Sequence, residues 1–231
     1  MNLLKTRKLH YGKYLYKTSF PNKLAGHFRT ELQKDGCYGH LRVKLDELHS
    51  VFVPGSTEIK LPWAYHTRIY DSIPVEDYYD AIDLYRLLGK SSDIEFTLRC
   101  EAFRLNLYSN DRDFITKIVN IVRHKFVEFW EPDPEDAKIL TAENNVIIVN
   151  EPPDYEYKIT LGKNRGEPSL AKWIDANPNL GKMGSIAKDE CYRSGWVKGY
   201  YFFVRDDKTL LIAQMIVGNN IQRVDRLVYN R

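Results

Sequence analysis

The chain has 231 residues, 43% apolar and 28% charged, with a formal charge of +3, which suits one large or two small folded domains and argues against general disorder. No apolar run approaches the roughly 18 residues of a membrane span, and the basic start lacks an apolar stretch with a cleavage site, so neither secretion nor membrane insertion is expected. Cys37, Cys100 and Cys191 are few, far apart and outside any CxxC spacing. They predict free thiols in a reducing, cytoplasmic or intracellular compartment (a host cell or virion for a viral source), with no metal site and no cofactor.

Charge is unevenly distributed. Residues 1–44 hold ten Lys or Arg against two acids, residues 45–157 hold eleven against twenty-two, and residues 158–231 hold thirteen against seven. Two basic tracts around an acidic middle can focus a polyanion if folding brings them onto one surface.

In chain order, the first strong pattern is Tyr14-Leu-Tyr-Lys-Thr-Ser-Phe20, which alternates as a half-buried strand does. A segment at about 21–73 reads as a β-rich insertion: Leu41, Val43 and Leu45 alternate, residues 51–55 end in a Pro-Gly turn, and residues 58–61 suit a partner strand. Residues 75–88 have helical spacing. Residues 96–100 and 103–108 form a hairpin pattern, and Asn110 or Asp111 is placed to cap a helix carrying Ile115, Ile118, Val119, Val122, Phe126 and Phe129. Residues 146–149 read as a closing strand, and joints fall at 130–136 or 151–154, where Pro and acidic residues interrupt regular structure.

The pattern then recurs. Tyr155-Glu-Tyr-Lys-Ile-Thr-Leu161 repeats the Y-x-Y-K-x-[ST]-apolar strand at a displacement of 141 residues. A helix at 169–176 follows, then a hairpin of 200–205 and 209–217, and a helix at 221–228. The expected architecture is α+β: duplicated ferredoxin-like (βαββαβ) units, the first spanning 1–150 with the β-rich insertion and the second, 151–231, truncated.

The alternation of the first hairpin sends Arg99, Arg104 and Tyr108 to the same sheet face as Lys17, a polar and basic surface. Open sheets of this kind bind single-stranded nucleic acid when rings stack bases and neighbouring cations hold phosphates. Glycine with cations at Lys163, Arg165, Lys182 and Lys188, and Arg193 beside Trp196, extend that composition, although GKMGS lacks phosphate-loop spacing. In the second unit both parities of 200–204 are apolar, so Tyr201, Phe203, Leu210 and Ile212 predict a covered sheet, the cover being the insertion, the first unit or another chain, the last making them a protein interface or a site of self-association.

Two readings follow. One is a non-enzymatic protein associated with nucleic acid or another polyanion inside a larger assembly, of viral or mobile-element kind; the other is a structural or adaptor protein using aromatic-rich surfaces. No catalytic residue is assigned. The Asp154, Glu156, Lys158 spacing superficially suits a metal-dependent nuclease. The expected tandem architecture resembles CRISPR RNA-processing endoribonucleases, whose glycine-rich segment near the C-terminus has no counterpart in residues 219–231.

Overall fold

The computed structural model describes residues 1–29, 39–60 and 71–230. In chain order its strands and helices are β1 (Asn2–Lys5), β2 (Tyr16–Pro21), α1 (Ala25–Arg29), α2 (Gly39–Val51), β3 (Glu58–Lys60), β4 (Ser72–Pro74), α3 (Val75–Gly89), β5 (Phe96–Glu101), β6 (Arg104–Ser109), α4 (Arg112–Ile121) and β7 (Glu128–Glu131). There follow α5 (Pro134–Ala142), β8 (Val146–Val149), β9 (Tyr157–Leu161), α6 (Pro168–Ala176), β10 (Gly181–Met183), α7 (Ser185–Tyr192), β11 (Tyr201–Val204), α8 (Asp207–Val217) and β12 (Ile221–Tyr229). This is a mixed α+β chain with two five-stranded mixed sheets. It divides into two compact units: residues 1–6 with 13–132, and residues 7–12 with 133–231.

In the first unit the strand order is β1-β7-β2-β6-β5. The β7, β2, β6 and β5 neighbours are antiparallel, and β1 lies parallel on β7. One face meets the helices: Phe20, Leu98, Leu105, Leu107 and Phe129 join Leu84 and Leu88 of α3 and Phe114, Ile115 and Ile118 of α4 in one buried core. Helix α4 starts where the Asp111 carboxylate accepts the Phe114 amide at 2.9 Å. It stops at Ile121, short of the expected length: Phe126 lies outside it, exposed, and Phe129 belongs to β7.

Among its described residues, 21–29, 39–60 and 71–73, the expected insertion is mainly helical and not β-rich; residue 61 of the expected partner strand lies outside the described residues. Residues 39–51 form α2, whose Leu41, Leu45 and Leu48 are buried at helical intervals while Val43, the residue that suggested alternation, is 52% exposed. Residues 51–55 form no strand. The β-structure described there is the β3–β4 ribbon.

The second unit has the order β10-β11-β9-β12-β8. Strand β9 sits between β11 and β12, antiparallel to both, and β8 lies at the edge, parallel to β12. Three expectations are corrected. The strand at 146–149 closes the second sheet, because it pairs with β12, and the first sheet is closed instead by β7. Residues 209–217 are helical: Asp206 accepts the Thr209 amide at 2.8 Å, Thr209, Ala213 and Val217 are buried four apart, and Gly218 ends the helix at φ +57°. Residues 221–229 are a strand and not a helix, pairing with β9 on one side and β8 on the other. Its apparent helical spacing arises from a bulge between Ile221 and Arg223, which lets Ile221 and Val224 pack against the same core.

Candidate nucleic-acid interface

Lys17, Arg99, Arg104 and Tyr108 do share one face of the first sheet, opposite its helices, as the register Lys17–Tyr108 and Arg99–Asn106 requires. The chemistry of that face differs from the expectation. Tyr108 is 5% exposed, and Lys17 lies opposite it on one side and opposite Trp130 on the other. The Lys17 ammonium stands 4.1 Å from the Trp130 ring centroid and 5.7 Å from that of Tyr108. Burial holds its pKa below the usual lysine value. Arg104 donates through Nε to Ser19 Oγ at 3.0 Å and through Nη2 to Glu128 Oε2 at 2.9 Å. Tyr14 packs against Tyr108 with its hydroxyl 2.9 Å from Thr97 Oγ1. This face is a knitted structural surface, with its ring inside and one of its arginines held by an acid.

On the second sheet the alternation of β11 puts Phe202 and Val204 in the core and leaves Tyr201 and Phe203 on the face without helices. Tyr201 is 46% exposed. The two rings meet edge to face at 5.5 Å, and Tyr155 lies 6.4 Å from Phe203. Lys158, the repeat counterpart of Lys17, holds its ammonium 4.0 Å from the Tyr201 centroid. Burial, and then the neighbouring charge of Lys8, lowers its pKa. Lys182 is opposite Phe203 on β10. Arg223 projects from β12 with Nε bonded to Asp225 Oδ2 at 2.9 Å, so part of its charge is spent on a buried carboxylate.

A further ring lies toward the Tyr201 end of this sheet. The Leu161 amide donates to Tyr200 O at 2.7 Å and Gly199 donates to Leu161 O at 3.0 Å, which fixes the loop containing Trp196 beside the end of β9. Trp196 is 66% exposed, not a core anchor, and the Arg165 guanidinium stands 5.5 Å from its ring. Arg165 also donates to Ser194 O at 3.2 Å. The glycines near Arg165 serve packing: a Cβ on Gly166 would stand 2.7 Å from Cys191 Cα, and one on Gly162 3.0 Å from Asn220 Oδ1.

The other predicted residues are dispersed. Lys163 and Arg193 are exposed, at the turn after β9 and the end of α7. Lys188 is bound to Asp175 Oδ1 at 2.5 Å. Leu210 and Ile212 are on α8, not on a sheet, so they do not form one surface with Tyr201 and Phe203. Sequence reasoning missed Lys158, Tyr155 and Arg223 as site residues; the Y-x-Y-K repeat marked the first two, while the bulge disguised the strand bearing the third.

The nuclease-like spacing is not assembled as a cluster: among the described residues no group of three or more His, Cys, Asp and Glu side chains is placed to hold a metal. His49 Nδ1 lies 3.1 Å from the Tyr78 hydroxyl, and His124 lies beside Asp80 at 3.4 Å. Cys191 is a buried thiol whose pKa burial raises. Among the described residues no helix is long and apolar enough to cross a membrane. Comparison of the chain with protein-family models, with curated proteins and with solved structures finds no match.

Proposed function

We propose that the chain binds single-stranded nucleic acid on the helix-free face of its second sheet, and that each unit is a ferredoxin-like βαββαβ fold extended by one parallel edge strand. The fold reading rests on the order fourth-first-third-second among the strands of both units. The observation that carries the binding reading is the pair Tyr201 and Phe203, two residues apart on a central strand, with Lys158 against one ring and Lys182 opposite the other. Tyr201 is exposed and Phe203 half-buried; rings open to solvent in this way stack unpaired bases of any sequence, and the adjacent cations meet the phosphates. Compared with the site expected from sequence, the binding face moves from the first sheet to the second.

The test is fluorescence anisotropy of a labelled oligothymidylate against a duplex of equal length, titrated at several salt concentrations. Preference for the single strand, a negative salt slope and loss of binding in the folded Tyr201→Ala/Phe203→Ala variant are expected. Failure of the unaltered protein to bind at low salt overturns the reading.

A second reading, a protein-contact role, draws on α8, where Leu211 and Met215 are 63% and 85% exposed one turn apart. Light scattering of the wild type and Leu211→Glu/Met215→Glu tests it; identical masses at every concentration count against self-association through α8.

A further inference from the structure

Beyond the sheet face, a cavity of about 280 Å³ opens at its margin, lined by Gly184, Ser185, Ile186, Ala187, Tyr200 and Tyr201. Its position has a simple origin. The chain leaves β10 at Met183, turns at Gly184 and enters α7 at once, so the first turn of α7 stands beside the start of β11. Gly184 has nothing within 4 Å of where a Cβ would be, which keeps the turn from filling the space. Two aromatic residues and an isoleucine line the cavity, with Ser185 adding a hydroxyl. Ile186 is 68% exposed, an apolar side chain for which the core of the unit gives no reason.

We infer that this cavity is a subsite for one splayed-out nucleobase of the bound strand. The inference rests on the binding face proposed above and extends it. Tyr201 belongs to both surfaces: it lines the cavity and carries the Lys158 ammonium on the sheet face. A strand whose bases stack on Phe203 and Tyr201 therefore meets the cavity without leaving the cationic surround of Lys158 and Lys182. The lining suits a flat, largely apolar ring, and the flanking positive charge suits the phosphates on either side of it. A base paired in a duplex cannot enter, so the cavity also explains selection for single strands independently of stacking.

The experiment measures affinity for an oligothymidylate of about six nucleotides, a length within the range of single-strand sites, and for copies carrying one abasic position in turn. Wild-type protein is expected to lose about tenfold in affinity when one particular base is removed, a loss on the scale of a single stacked base. Ile186→Asn, neutral and on an exposed side chain, is expected to weaken the intact oligonucleotide by a similar factor and to erase the penalty at that position, because the two changes remove one interaction. Ile186→Trp, which plugs the cavity, should do the same. If both variants keep the wild-type abasic profile while Tyr201→Ala/Phe203→Ala abolishes binding, the subsite is overturned and the sheet-face reading stands. If Tyr201→Ala/Phe203→Ala binds as wild type, the sheet-face reading falls, and the subsite with it.

Discussion

The Tyr-x-Tyr-Lys motif runs into a strand in each sheet, β2 from Tyr16 and β9 from Tyr157, with Tyr14 and Tyr155 just before them, yet the two sheets expose opposite chemistry on the face that bears its lysine. In the first, the lysine is enclosed between Trp130 and Tyr108, and Arg104 is tied to Ser19 and Glu128. In the second, the position equivalent to Trp130, opposite the lysine on the fourth strand, is Asp225, and the ring under the lysine is the half-exposed Tyr201. A motif on one strand therefore specifies little by itself. Its cross-strand neighbours decide whether a ring and a cation become structural filling or a surface able to meet a ligand.

The sharpest way to break this comparison is to remove a ring from each face. Tyr108→Ala should cost roughly 3 kcal/mol of stability, the scale for truncating a buried aromatic side chain, while the same change at Tyr201 should leave the denaturation midpoint nearly unmoved. Equal losses at the two positions would erase the distinction. In binding, the order reverses: Tyr201→Ala should cost about 1–3 kcal/mol toward single strands, measured by anisotropy, and Tyr108→Ala, assayed where it remains folded, should cost nothing measurable.

A smaller effect probes the repeated helix starts. Asp111→Ala should destabilise the first unit by about 1 kcal/mol through loss of its N-cap, read in chemical denaturation. Asp206, whose hydrogen bonds from the Thr209 hydroxyl and amide depress its pKa, should give a pH signature: its contribution is fully present above the unfolded aspartate pKa and is lost as pH falls through the lower folded value. A wild-type acid limb unchanged in Asp206→Asn would count against that cap.

The smallest expected change distinguishes the lysines. Lys158→Met should reduce the single-strand salt slope by about 0.7, while Lys17→Met should leave it unaltered. Because burial and Lys8 lower the Lys158 pKa, the protonated form that meets phosphate should be lost at a pH below the ordinary lysine value. Titration of binding toward alkaline pH should show the decline beginning earlier in wild type than in a Lys158→Arg variant.

Where sequence reasoning succeeded, local periodicity and burial agreed. The helix at 75–88, the hairpin at 96–108 and the helix at 169–176 were legible because their apolar spacing matched the face they bury. Thr209 to Val217 was misread because its β-branched Ile212, Ile216 and Val217 favour strands, and the Asp206 and Gly218 boundary signals outweighed that preference. In α2, Leu41 and Leu45 fit two periods at once, and Leu48 settles the helix. The candidate site was half legible: the parity of Tyr201 and Phe203 was visible, but the enclosure of Lys17 depends on Trp130, a residue more than a hundred positions away.

The extra edge strands have a consequence for how the chain acquires its structure. Asn2 pairs with Glu128 in β7, and the backbone of Arg7 and Lys8 pairs with β8 at Ile148 and Ile147. Residues 2–8 are therefore synthesised long before either partner exists, and they wait for β7 and β8 before they can pair. Such distant pairings are the slow part of folding. During translation the growing chain must leave this basic segment unpaired until the middle of the sequence has emerged, and a block of its pairing would leave an edge of both sheets open to neighbouring chains.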